Sequence, residues 1–272
     1  MLYQYFYNMV LNDFIFFFVL IVLSVLFYKY FFVILKKYNP KLLVDDQFKK
    51  LQAFHEVPTS ILGGVGILFS FLIVYLYIFL SQDIVHYDYL SFCILFFLVG
   101  FLDDLKIFLR PKIRLFLMII FLIFLVQYNN FYIEKTGIAF LNNLIQNSNI
   151  FSLIFMCLCF LFIINGANLI DGYNGLLGFH SLIILTNLFA INYLSGNNDL
   201  SYLLFCGIII LLIFLKFNFP NAQFFLGDSG SYLLGAFIAI SAIKTSIANP
   251  SISPFYFCIL LYYLFFEVFF SF

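Results

Sequence analysis

Four aspartates carry most of the chemistry this chain can offer. Asp103, Asp104, Asp171 and Asp228 lie in FLDDLK, NLIDGYNG and FFLGDSGS, short polar breaks between long apolar runs. An ionised carboxylate at the centre of a membrane helix costs about 2.5–3.5 kcal/mol even on the mild insertion scale. Acids placed this way point to a polar site at one membrane surface, and so to chemistry on a lipid. Asp103 and Asp104 are adjacent, and neighbouring helical residues diverge by about 100°. Two close carboxylates repel unless a cation or a proton intervenes. Mg²⁺ is a hard ion that takes one or two carboxylates together with phosphate oxygens. Lys106, Arg110, Lys112 and Arg114 follow closely and suit phosphate.

In NGANLIDGYNG, Asn165, Asn168, Asp171 and Asn174 recur every three residues. If helical, they form one slowly drifting stripe, a surface suited to a sugar or a phosphate. Gly166, Gly172 and Gly175 permit tight turns or close backbone approach. GDSGS stands just before an apolar run, where a helix N-terminus would favour an anion or an acid-bound metal phosphate. His55 precedes VPTS and is a candidate phosphate or acid–base partner, while Gly63-Gly64-x-Gly66 suggests close helix packing. Each segment alone also fits a plainer role: a solvated helix end for Asp103–Asp104, an Asx-turn for NLIDGYNG, an N-cap for Asp228. His180 reads as structural, and Glu267, inside the last apolar run, is a functional candidate by its location.

The elements that must hold these residues are helices. The chain has 272 residues, 65% hydrophobic and 10% charged, with mean hydropathy +1.09. Soluble domains run at about 45–50% apolar and about 25% charged. The reading is an all-α polytopic membrane bundle forming a single domain over 1–272, without repeats. Runs of span length mark nine segments: 13–35, 62–81, 89–105, 113–128, 150–166, 175–194, 200–217, 231–248 and 254–272. Nine spans place eleven of the thirteen basic residues on one side and only Lys135 and Lys244 on the other. That bias puts the first loop, 36–61, in the cytoplasm, together with His55 and all four aspartates. The five cysteines lie in apolar runs and read as small buried hydrophobes. The first apolar run has span length, not signal-peptide length. A formal net charge of zero offers no broad basic surface for nucleic acid.

Taken in order, His55–Gly66, Gly100–Arg114, Asn165–Gly178 and Asn218–Gly235 resemble the polyprenyl-phosphate N-acetylhexosamine-1-phosphate transferase family (glycosyltransferase family 4). FLDDLKIFLRPKIRL and NLIDGYNG are more similar to the undecaprenyl-phosphate GlcNAc-1-phosphate branch than to the muramoyl-pentapeptide branch. The resemblance implies transfer of a HexNAc phosphate from a UDP-sugar to undecaprenyl phosphate, releasing UMP. It also implies Mg²⁺, with Mn²⁺ as a substitute, a bacterial inner-membrane location with the site facing the cytoplasm, and the homodimers common in such enzymes. Position by position, Asp228 matches a metal-binding aspartate. Asp103 and Asp104 match the aspartate pair at the lipid phosphate, with Asp104 a second candidate metal ligand. Asp171 matches a polar residue of the sugar–nucleotide segment and is, with Asp103 and Asp104, a candidate catalytic residue; Asn165, Asn168 and Asn174 match substrate-binding positions of that segment, Phe225 an aromatic that packs on uracil, and His55 a substrate contact. Three departures accompany the match: Ser60-Ile61 where Pro and a basic residue are usual, Asn174 where many members carry a second aspartate, and no counterpart of the family's C-terminal histidine loop. The last implies a truncated chain or an impaired enzyme. Two other readings stand beside it, an ion-coupled transporter and a non-catalytic family remnant.

Overall fold

The computed structural model describes residues 2–38, 44–45, 59–81, 86–105, 107, 110–133 and 135–271. Apolar runs without water to solvate the backbone become helices, because only a helix pairs its own N–H and C=O groups. The first, α1 (Leu2–Tyr38), leads into β1 (Val44–Asp45) and β2 (Thr59–Ser60), which pair antiparallel. After them come α2 (Gly63–Ser81), α3 (Tyr87–Asp104) and α4 (Pro111–Tyr128), then a short α5 (Ala139–Asn147). The second half holds α6 (Asn149–Ile170), α7 (Leu176–Leu194), α8 (Asn198–Asn218), α9 (Gly227–Ala248), α10 (Pro254–Leu260) and α11 (Tyr262–Phe270). Pro111 and Pro254 sit in the first turns of α4 and α10, where a missing N–H leaves nothing unpaired.

Among the described residues seven helices are long and apolar enough to cross a membrane, not nine: α2, α4, α6, α7, α8, α9 and the 12–31 stretch of α1. The difference has two causes. The third run, now α3, carries Asp88, Asp103 and Asp104 in 18 residues. The ninth breaks at Leu261 into helices of 7 and 9 residues. The nine-residue α5 was not expected, because AFLNNLIQN is too short for its period to register in an apolar scan.

The core is built around α9, which packs chiefly on α3 and α6, then on α2 and α7. In the apolar stretch of α9, 78% of positions are buried, against 22% in those of α1 and α4. Small residues permit the close approach. A Cβ on Gly235 would stand 2.8 Å from the Ile164 Cα, and one on Gly64 would stand 2.4 Å from the Gly230 nitrogen. The Gly63–Gly66 stretch thus packs closely, as its spacing suggests. Outward-facing Phe14, Phe18, Phe116 and Phe124 are each more than 60% exposed, an apolar surface too large for water and suited to lipid.

The helices pair end to end in a consistent sense. The finish of α3 meets the start of α9 through Asp104 and Asp228, and the start of α3 meets the finish of α9 through the Asp88–Lys244 ion pair. Asp103 follows Asp88 by fifteen positions, so the two ends lie about 22 Å apart along α3.

Candidate active site

The polar end of the bundle is assembled by backbone pairing before any side chain acts. Phe225 N–H donates to the Ser60 carbonyl (2.8 Å), and the Phe225 and Leu226 carbonyls accept from Gly63 and Gly64 N–H (2.9 Å each). The segment before GDSGS is therefore clamped between β2 and α2. Asn218 ties it to the α6–α7 turn. Its Oδ1 accepts from Gly175 N–H at 2.6 Å and its Nδ2 donates to the Phe224 carbonyl at 2.8 Å. Gly175 stands at φ +78°, a conformation that favours glycine.

On this frame Asp228 occupies the first turn of α9, which starts at Gly227, four residues before the span read from apolarity. Its Oδ1 accepts from Asn168 Nδ2 at 2.9 Å, and its Oδ2 accepts from Arg114 Nη1 at 3.1 Å. Asn168 also donates to Ser231 Oγ at 2.9 Å. Arg114 reaches Asp103 Oδ2 at 2.5 Å and stacks over the Tyr232 ring, 5.6 Å from its centroid. Asp104 is buried. Its two oxygens accept the backbone N–H groups of Asp228 (2.9 Å) and Ser229 (3.0 Å).

Asp171 caps the end of α6, and among the described residues nothing donates to its carboxylate. Burial pushes its carboxyl well above the ordinary carboxylate range, and the charges of Asp228 and Asp104 push it further in the same direction. Three carboxylates therefore stand within electrostatic reach, with one guanidinium on Asp103 and Asp228.

Other expected site residues fall elsewhere. The stripe is helical only to Ile170, after which residues 171–175 form turns. Asn165 donates to the Leu161 carbonyl of its own helix, and exposed Asn174 donates to the Pro220 carbonyl. Of the four stripe residues, only Asn168 hydrogen-bonds Asp228, with Asp171 within electrostatic reach of it; the turn at 171–175 ends the helical period that a common face requires. Phe225 is part-buried beside Asp228 in sequence, with its backbone fixed as above. His55 lies outside the described residues. Arg114 and Asn218 were missed as site residues. Arg114 stood among four bases with nothing to single it out, and Asn218 works through backbone contacts that leave no motif. The four site aspartates gather at one end of the bundle, not at its middle, which disfavours the transporter reading.

The class this defines is a polytopic membrane protein with an acid, amide and guanidinium site where several helix ends meet. Residues 86–246, which include Asp103, Asp104, Arg114, Asn168, Asp171 and Asp228, match Glycosyl transferase family 4, and the chain belongs to that family. It is 35% identical over 201 residues to the phospho-N-acetylmuramoyl-pentapeptide-transferase of Dictyoglomus turgidum, covering 71% of this chain and 62% of that protein. Proteins of the same name from Prochlorococcus marinus and Buchnera aphidicola are each 29% identical, over 268 and 265 residues. Those alignments cover 88% and 86% of this chain, and 72% and 77% of the relatives. The chain thus spans 62–77% of the length of these relatives. They carry the name of the muramoyl-pentapeptide branch, not of the GlcNAc branch that the sequence segments favoured.

Proposed function

We propose that this chain transfers an N-acetylhexosamine-1-phosphate from a UDP-sugar to a polyprenyl phosphate, with undecaprenyl phosphate as the acceptor. A phosphate oxygen of the carrier attacks the sugar-bound phosphorus of the donor. The P–O–P bond breaks, a diphosphate links carrier and sugar, and UMP leaves. The observation that carries this reading is the convergence on Asp228 of Arg114 from α4 and Asn168 from α6, within electrostatic reach of Asp171, whose carboxylate accepts no hydrogen bond among the described residues. Phosphoryl transfer asks little covalent chemistry of a protein and depends on positioning and charge. Family membership and the names of the relatives support the same reaction class.

The donor set fits a divalent cation such as Mg²⁺ on Asp228 and Asp171. Asp171 accepts no hydrogen bond among the described residues, and a cation would relieve the repulsion between the two carboxylates. No three His, Cys, Asp or Glu side chains among the described residues are grouped to hold a metal by themselves. A cation here would complete its shell with phosphate oxygens and water, which is how Mg²⁺ is ordinarily held. When bound, it would spread the diphosphate's charge. Arg114, anchored by Asp103, offers its remaining N–H donors to the phosphates. Asn168 keeps Asp228 in one orientation. The basic bias of the loops supports a cytoplasmic orientation for this end, the side on which UDP-sugars are made.

The test is UMP release from membranes holding the chain, supplied with Mg²⁺ and undecaprenyl phosphate, and with either UDP-GlcNAc or UDP-MurNAc-pentapeptide as donor. Carrier-dependent release is expected with one donor, and D228N should abolish it. Release without the carrier, or from neither donor, would overturn the proposal, and the productive donor assigns the branch.

A further inference from the structure

We propose that Asp104 is a positioning residue for the transfer, one that locks the first turn of α9 and so aims Asp228, without holding the cation. The inference rests on the reading that Asp228 is a cation ligand. It separates the jobs of two adjacent, identical side chains.

The first N–H groups of a helix have no partner inside it. α9 begins after Leu226, which has no capping side chain, and no side chain within α9 caps its start. Instead the cap comes from another helix. Asp104, 7% exposed at the end of α3, accepts Asp228 N–H on one oxygen and Ser229 N–H on the other. A carboxylate at a helix N-terminus is also favoured by the helix dipole. The fit requires two glycines. Gly227 stands at φ +75°, and a Cβ there would lie 2.8 and 3.0 Å from the Asp104 oxygens and 2.2 Å from Ile61 Cγ2. Gly100 lies one turn before Asp104 on the same face, and a Cβ on it would stand 2.3 Å from the Asp228 carbonyl oxygen. α3 thus meets the first turn of α9 backbone to backbone.

Asp103 points away from this contact and pairs with Arg114. Each Asp104 oxygen is directed at an N–H group that sets the backbone of Asp228. The remaining lone pairs of this carboxylate are enclosed, since Asp104 is 7% exposed, which leaves little room for a cation with its phosphate and water ligands, whereas the Asp228 side chain is 35% exposed. Holding the N–H groups keeps the Asp228 side chain at one place relative to Arg114 and Asn168, and a displacement of about 1 Å can cost about 100-fold in rate.

The experiment compares D104N, D228N and wild type by hydrogen–deuterium exchange over 226–231, by Mn²⁺ binding, and by UMP release. D104N keeps the shape but turns an N–H donor toward an N–H donor. Exchange at Asp228 and Ser229 should quicken about tenfold, as expected for loss of a helix cap. kcat should fall about 100-fold, with Mn²⁺ binding still measurable and KM for the donor little changed. D228N should lose Mn²⁺ binding yet keep slow exchange, because its N–H groups are still capped. Unchanged exchange in D104N with Mn²⁺ binding abolished would make Asp104 a ligand and overturn the proposal. Mn²⁺ binding in D228N equal to wild type would instead sink the cation assignment to Asp228. Should D104N not be recovered folded, G100A leaves Asp104 intact and spreads the same contact. It should show the same fast exchange and low kcat, and wild-type exchange with wild-type turnover would refute the positioning role.

Discussion

Asn168→Ala removes the side chain that holds Asp228 from α6. In the native site Asn168 Nδ2 lies 2.9 Å from Asp228 Oδ1 and 2.9 Å from Ser231 Oγ, while Arg114 holds the other carboxylate oxygen, at 3.1 Å. Alanine deletes the donor to a charged acceptor in a part-buried setting. A hydrogen bond to a charged group contributes about 1.5–3 kcal/mol. If that energy orients Asp228 in the transition state, kcat/KM falls about 10- to 150-fold, at about 1.4 kcal/mol per tenfold. Asn168→Asp has nearly the same volume but sets a second carboxylate against Asp228 Oδ1, so its loss should be larger. The assay is UMP release from membranes with the productive donor, normalised to folded protein. Activity of N168A within about threefold of wild type, less than the smallest ionic hydrogen bond would contribute, would refute the reasoning. So would an N168D enzyme more active than N168A.

Three further outcomes are expected. Gly64→Ala drives a Cβ to 2.4 Å from the Gly230 nitrogen; since both sides are backbone, overpacking should lower stability by about 1–3 kcal/mol and depress turnover, and an unchanged melting temperature in detergent would contradict the packing. Asp171→Asn should stabilise the protein in EDTA: burial and the Asp228 and Asp104 charges raise the folded-state carboxyl, so the native state binds more protons than the unfolded state and wild-type stability falls as pH rises above the ordinary carboxylate range. The gain in melting temperature should be near zero at low pH and grow to a plateau above the raised value, and a gain that shrinks with pH would exclude this origin. Lys244→Ala leaves Asp88 charged and part-buried at the far end of α3, which should cost about 1–3 kcal/mol with UMP release per folded molecule intact; thermal unfolding of K244A, D88N and the double variant checks it, since the double should lose less than the two singles summed.

Apolar run length, the punctuating Gly, Asn and Pro residues and the four aspartates were enough to read an all-α membrane bundle and its polar segments, because bilayer thickness and backbone pairing leave few alternatives. Gly63–Gly66 announced a close helix contact, and GDSGS announced a helix start. The Asn165–Asn174 stripe failed because a three-residue period has a common face only while the helix lasts, and it lasts to Ile170. What spacing could not decide is which carboxylates share a neighbourhood and which are already satisfied. Asp103 and Asp104 are identical and adjacent in sequence, yet one pairs with Arg114 and the other with two amides of α9, because consecutive helical side chains diverge and meet different helices. Arg114 was one base among several until α4 packed beside α6 and α3 and its side chain reached Asp228 on α9. Those assignments join residues 11 to 125 positions apart, a range over which only packing, and no local period, brings chemistry together.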